Sequence, residues 1–365
     1  MNEQSTQRQP ASIEDLGWRT FFSTQLTPQE QHENCPARVM AVHRDALVVH
    51  DGSEERRVHL GRHWTKTAGQ DKPTTGDWLL LDPAREWISR LLTRETVIKR
   101  VSAGVNAGQQ TQEQAIAANI DILFVVTSCN NEFNESRLER YLTVAQNADI
   151  EPVIVISKCD LADTPDAYVA RTKVVTEAPV VLINALDPTI APSFEPWLLS
   201  GQTIAMVGSS GVGKSTLLNT LAGHDIQETG DIREVDQRGR HTTTHRSIHL
   251  LGNGALMLDT PGIREITFAF GQETLSDMFE DIEALIPQCK FTNCTHESEP
   301  GCAIKGAIVA GNLELRRFEN YQKMSEEESH NTQSMDEKRI EKRRFKNRKA
   351  GEGPRDAKKK RKKRI

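Results

Sequence analysis

"ISKCDLAD", residues 156–163, closes an apolar run and carries a carboxylate just past the end of a buried strand. Reading guanine takes a carboxylate that accepts two N–H groups from the base edge and an aliphatic stem that covers the ring. Asp160 and Lys158 supply both, and Ser157 and Cys159 complete the segment. ATP presents no such pair of donors, so the carboxylate selects GTP by hydrogen-bond matching. A nucleotide-binding domain ordinarily meets its phosphate loop first and its base-reading segment later. Here the stretch with the composition of a phosphate loop, "GSSGVGKST" at 208–216, comes second. Either the base-reading look of 156–163 is accidental, or a domain has been cut and rejoined in a different order.

The later stretch has every part such a loop needs. In "TIAMVGSSGVGKSTLLNTLAG" (203–223) an apolar strand runs into Gly208, Ser209 and Ser210. Gly211, Val212 and Gly213 make a tight turn, and Lys214, Ser215 and Thr216 open a helix. Backbone N–H groups of the turn and helix start face phosphate oxygens, Lys214 reaches the β- and γ-phosphates, and the Ser215 hydroxyl coordinates Mg²⁺. The full G-x-x-x-x-G-K-[ST] pattern in a strand–loop–helix context is a specific signal for a nucleoside triphosphate.

Three further pieces fall into place around it. "MLDTPGIRE" (257–265) ends an apolar strand in Asp259, placed to hold Mg²⁺ through water, with Gly262 able to offer its N–H to the γ-phosphate. In "GRHTTTHR" (239–246) either Thr243 or Thr244 completes the Mg²⁺ shell. "INALD" (183–187) follows the next strand, and Ala185 is the candidate backbone contact to the guanine oxygen. The order is base segment, second base contact, phosphate loop, threonines, then Asp-x-x-Gly. Spacing within each piece is ordinary and only the starting point is rotated, which describes a circularly permuted GTPase. Two departures bear on chemistry. Ser157 stands where Asn usually tethers base site to phosphate loop, and predicts weaker or looser guanine binding. Ile263 follows Asp-x-x-Gly where many GTPases carry a water-positioning Gln, so His241, then His245, become the candidates, and slow turnover stimulated by a partner is expected.

"CKFTNCTHESEPGC" holds Cys289, Cys294, His296 and Cys302, three thiols and an imidazole within fourteen otherwise polar residues. That set suits one Zn²⁺ in a closed structural site. The bland alternative is a group of buried cysteines beside a surface histidine. Cys35, Cys129 and Cys159 are isolated, and no disulfide framework is expected in a cytoplasmic chain of this size.

Charge divides the 365 residues unevenly. Residues 338–365 carry a local charge of +13, and the rest of the chain −18. The tail suits salt-dependent contact with a polyanion, whereas the body does not. No run approaches the length of a membrane span, and the first ten residues have no apolar stretch of a secretory signal, so a cytoplasmic protein is expected. Short strand-like runs from 36 to about 100 read as a small β-barrel. After Gly108, apolar runs at 120–128, 152–157, 180–184, 203–208 and 255–259 alternate with helical patterns such as 135–148, the signature of an α/β domain with a mainly parallel sheet.

"DLGW", "GDW", "QAIAANID", "GSSGVGKSTLLN", "GRHTTTHR", "DTPGIRE", the Cys-Cys-His-Cys cluster and "GNLELRRFENY" together resemble the RsgA family of GTPases dependent on the small ribosomal subunit, over about residues 13–324. The resemblance implies an N-terminal extension (1–34), an OB-fold barrel (35–108) and a circularly permuted P-loop GTPase domain (109–270). A helical zinc-binding domain (271–324) completes the shared part, and a disordered basic tail (325–365) is expected outside it. The resemblance further implies action in late 30S maturation through 16S rRNA contact, with GTPase activity stimulated by that subunit; a monomer is expected. Asn184-Ala185 replaces the family's usual Ser-Ala. The competing class is a zinc-bearing RNA-binding protein that keeps nucleotide only as a structural or regulatory ligand.

Overall fold

Seven consecutive buried residues, Ile122–Ser128, form a strand because both of its faces are covered, as in the centre of a parallel sheet. The structure is a computed structural model. It describes residues 12–43, 45–67, 69–102, 112–224, 247–259, 275–276 and 278–326. That central strand, β8, lies between β9 (Glu151–Ser157) and β11 (Thr203–Val207), and all three run parallel. β10 (Val180–Leu182) extends the sheet beyond β9, and β13 (Leu256–Asp259) beyond β11, again in parallel. Each strand falls within two residues of the run that the sequence pattern marked. The Glu135–Asn147 helix covers one face with Leu138, Tyr141, Leu142 and Ala145, the spacing expected of an amphipathic helix. Asn134 caps it by accepting the Arg137 N–H at 2.9 Å. Two buried positions depart from the apolar stripe: Thr143, which donates to Glu139 O at 2.9 Å, and Glu139 itself, whose charge is wholly enclosed.

β12 (Ser247–Leu250) adds an antiparallel edge to β13 and meets β1 (Cys35–Val42) at Ala41↔Ser247. The N-terminal strands thereby join the central sheet. Among the described residues the N-terminal pairings run β3 (Glu55–His59), β2 (Ala46–His50), β1, β4 (Trp78–Leu81), β5 (Ile88–Leu91), all antiparallel. Their inner residues, including Val39, Leu47, Val58 and Leu79, form a separate core. β6 (Val97–Ser102) and β7 (Gln112–Ala118) pair with each other across the border expected at 108.

The "DLGWRTFF" segment packs inward. Leu16 and Phe22 are fully buried, and Trp18 meets Trp78 edge-on at 4.8 Å. Burying two such side chains contributes about 3–6 kcal/mol by area. Arg38, buried beside them, donates to Leu16 O and, at 2.9 Å, to Asn119 O, so one guanidinium ties the N-terminal turn and β1 to the entry of β8. Burial lowers its pKa to about 10, which leaves it charged at neutral pH. At the other end, the Ala303–Val309 helix and a helix at 315–326 surround the cysteine cluster. No helix among the described residues is long and apolar enough to cross a membrane.

Candidate functional site

β11 delivers the chain into the 208–216 loop at Gly208, with φ +144°. A Cβ there would sit 2.1 Å from Val126 O, so the loop lies hard against β8 and only glycine fits. Gly211 and Gly213 also adopt positive φ, and the Lys214–Ala222 helix starts directly after them. A left-handed turn leading into a helix N-terminus gathers backbone N–H groups that suit an anion. Lys214 is mostly buried, and its Nζ donates to Gly208 O at 2.7 Å and to Ser209 O, so the ammonium lies across the mouth of the loop. Ser209, Ser210, Gly211, Ser215 and Thr216 all retain solvent exposure, while Val212 anchors the turn in the core.

The end of β9 meets the same loop. Ser157 is fully buried, and its Oγ lies 2.5 Å from Val212 O and 3.0 Å from Thr127 O. Its hydroxyl proton reaches one carbonyl at a time, which joins the base-reading segment to the phosphate loop. A Cβ on Gly213 would lie 3.6 Å from Ser157 Oγ and 3.9 Å from Ala185 Cβ, so both segments back onto the last turn of the loop. Thr220, on the helix that follows the loop, donates to Ala185 O at 2.7 Å. Lys158 takes a left-handed conformation, φ +59°, and Asp160 stands exposed one residue beyond Cys159. Ser157 and Ala185, both well ahead of Gly208 in the sequence, thus lie against the loop in the fold.

The ligand atoms of Cys289, Cys294, His296 and Cys302 all lie within 4.8 Å of one another. His296 Nδ1 is 3.6 Å from Cys289 Sγ and 3.4 Å from Cys302 Sγ. A tetrahedral zinc site with bonds of about 2.3 Å to sulfur and 2.0 Å to nitrogen has S···N edges of about 3.5 Å, so the donor set fits that ion. Burial works against a Cys289 thiolate, yet the Ala303 and Ile304 N–H groups and the neighbouring thiols hold its pKa below the ordinary thiol value.

A sequence model of the RsgA GTPase family matches residues 91–269. A Vibrio vulnificus protein named small ribosomal subunit biogenesis GTPase RsgA 2 is 44% identical over 335 residues, 92% of this chain and 93% of its own. The chain belongs to the RsgA GTPase family. A Mesorhizobium japonicum relative named small ribosomal subunit biogenesis GTPase RsgA is 42% identical over 326 residues, 88% of this chain and 91% of its own. Among solved structures, YjeQ from Thermotoga maritima superposes with TM-score 0.55 at 25% identity, covering 81% of this chain and 98% of that one. YloQ, described as a circularly permuted GTPase, shares the fold with TM-score 0.53 at 23% identity, covering 84% and 99%. An ABC transporter model also matches, at 197–350, a range that includes the phosphate loop and omits the 156–163 segment.

Within this RsgA GTPase, the sequence-derived candidates divide into three groups. Ser157 and Ala185 pack against the 208–216 loop and the helix that follows it, while Lys158, Cys159 and Asp160 continue the chain from Ser157, with Asp160 exposed. Asp259 closes β13, paired with Ser247. His241, Thr243, Thr244, His245, Gly262 and Ile263 lie outside the described residues, as do residues 327–365 of the basic tail; its first two residues, 325 and 326, end the 315–326 helix. Sequence reading passed over Arg137, whose guanidinium reaches Ser209 Oγ from the Glu135–Asn147 helix and stands 3.4 Å from Glu132. Thr127, Glu132, Arg137, Tyr141 and Ser209 line a cleft beside the loop. No motif marks this helix, because its role depends on which strand it crosses.

Proposed function

We propose that this RsgA-family GTPase acts in late maturation of the small ribosomal subunit, contacting 16S rRNA and turning over faster when bound to that subunit. The relatives named for small-subunit biogenesis support the biology. The observation that supports the nucleotide reading is the Ser157 hydroxyl, within hydrogen-bond distance of Thr127 O and Val212 O, so that the end of β9 packs against the 208–216 loop.

In this reading Asp160 and Lys158 hold the base, with Cys159 beside them and the Ala185 N–H on the guanine oxygen. The N–H groups of 208–216 and Lys214 hold the phosphates. Ser215, one of Thr243 and Thr244, and Asp259 hold Mg²⁺, which when bound neutralises charge on the β- and γ-oxygens. Gly262 senses the γ-phosphate, and His241 positions water. Cys289, Cys294, His296 and Cys302 hold one structural Zn²⁺ that leaves no open position for catalysis. The five N-terminal strands form the OB-type barrel at 35–108. The GTPase unit covers 109–270, the zinc unit 271–324 and the basic tail 325–365. The protein works as a cytoplasmic monomer. Release of the 259–262 loop on loss of the γ-phosphate shifts the zinc unit that follows it.

GTP hydrolysis titrated with purified 30S subunits tests this reading, with ATP as competitor. The expected result is GTP-selective turnover that rises with subunit concentration. Equal binding of ATP and GTP would overturn the base site. Flat turnover across the titration would favour nucleotide as a structural ligand only.

A further inference from the structure

The Glu139 carboxylate is completely enclosed, belongs to no motif, and among the described residues bonds to side chains outside the 208–216 loop. Its partners come from the far end of the chain. Arg316 Nη1 lies 3.1 Å from Oε2, Arg317 Nη1 donates at 2.9 Å to Oε1, and Asn320 Nδ2 donates at 2.6 Å to Oε2. Arg316 also donates to Ser136 Oγ at 3.1 Å. Arg317 carries the connection on, with a forked pair of 2.8 Å bonds to Asp281 and a 3.0 Å bond to Met278 O. The helix at 315–326 packs beside the metal-ligand cluster, where the Phe318 ring meets His296 edge-on at 5.8 Å. Two residues before Glu139, on the same turn of helix, Arg137 reaches the phosphate loop at Ser209.

The first two turns of the Glu135–Asn147 helix therefore have two anchors. One is a buried ion-pair network on the metal-ligand unit, and the other is a guanidinium on the phosphate loop. A helix transmits displacement along its axis with little loss, since its backbone hydrogen bonds hold successive turns together. A buried carboxylate gripped by three donors resists sliding, because losing a partner leaves a desolvated charge uncompensated. We infer that Glu139 is a positioning residue: through its grip on Arg316, Arg317 and Asn320 it couples the metal-ligand unit to Ser209 of the phosphate loop. This link does not depend on the release of residues 259–262 proposed above. It rests on the reading of 208–216 as the site of the GTP phosphates.

Coupling between two sites is reciprocal, so nucleotide at the loop must alter the stability of the 315–326 helix. Hydrogen exchange in the full-length zinc-loaded protein, with and without a non-hydrolysable GTP analogue, reads this directly. In the unaltered chain the analogue is expected to slow exchange in 315–326 about fivefold or more, the lower range of ordinary coupling. Glu139→Gln keeps the shape and an acceptor for Asn320, and should bind the analogue and zinc as before while losing most of that protection. Arg137→Ala alters a part-exposed side chain at the other anchor and should lose it too, with Arg137→Lys restoring part. An analogue that binds the unaltered protein and leaves 315–326 unprotected would overturn the inference. So would equal protection in Glu139→Gln and Arg137→Ala. Failure of the unaltered protein to bind analogue would instead overturn the phosphate-loop reading, and this inference with it. Should Glu139→Gln not fold, the Arg137 variants decide the question alone.

Discussion

Around the phosphate loop the decisive contacts end on main-chain atoms: Lys214 Nζ on Gly208 O, Ser157 Oγ on Val212 O, Thr220 Oγ1 on Ala185 O. Around the 289–302 cluster they end on side chains, with thiols facing an imidazole and Arg317 facing both Glu139 and Asp281. A site built on backbone geometry tolerates exchange of its tethering side chain, as the Ser157 position illustrates. A site built on side-chain donors fails when one donor is lost. The two ends of one molecule should therefore respond differently to comparable changes.

Metal removal tests the side-chain end most severely. Structural zinc contributes about 10 kcal/mol or more to folding of small sites, so chelation should unfold the 278–326 unit. Near-ultraviolet circular dichroism should show that loss, while guanine nucleotide binding persists at the loop. If nucleotide binding vanished with the metal, the two ends would not be separable in this way. Next in size, Lys214→Ala should reduce GTP turnover about 10²–10³-fold, the usual effect of removing one preorganised charge from a transition state. Single-turnover hydrolysis measures it, and unchanged turnover would show that the loop does not serve the reaction.

Ser157→Ala is a gentler probe of the main-chain end. It removes a buried hydroxyl and leaves Val212 O with one partner fewer, at a cost of about 1 kcal/mol. Nucleotide affinity should fall about fivefold, and chain stability measured by urea unfolding should fall by about 1 kcal/mol and no more. A larger loss of affinity would show that the tether is as unforgiving as the metal cluster. The smallest effect concerns pH. Burial raises the Asp281 carboxyl, but the Arg317 guanidinium at 2.8 Å outweighs it, and the pKa falls below its ordinary value of 3.8. The contribution of a depressed carboxyl is complete above the unfolded pKa and is lost as pH falls through the folded one. Partial exposure screens it to about 0.5 kcal/mol or less. Between pH 5 and 2, roughly, Asp281→Asn should flatten the acid limb of a stability curve slightly; an unchanged limb would remove Arg317 from that role.

Short patterns were legible where chemistry dictates both residue type and spacing. The G-x-x-x-x-G-K-S run, the alternation of buried strands and the Cys-Cys-His-Cys set each place their residues as read. β12 was not legible, since "SIHL" is too short to signal a strand alone and is held by pairing to β13 and β1. Nor was the Arg38 anchor, for an arginine inside an apolar strand reveals nothing of the carbonyls it will meet. Glu139 carries no mark in the sequence either. Its burial depends on a helix that begins about 175 residues later.

The amino-acid order alone determined that a G-x-x-x-x-G-K-S run follows a segment with a guanine-reading pattern, and that three cysteines and a histidine cluster within fourteen residues. Local spacing suffices for that, because each motif works through neighbours within one turn or one strand end. Only the tertiary structure decided that Ser157 meets Val212, that β1 joins the central sheet, and that Arg317 closes over Glu139. Those contacts depend on which distant surfaces lose water together, and burial of that kind leaves no periodic trace in a chain.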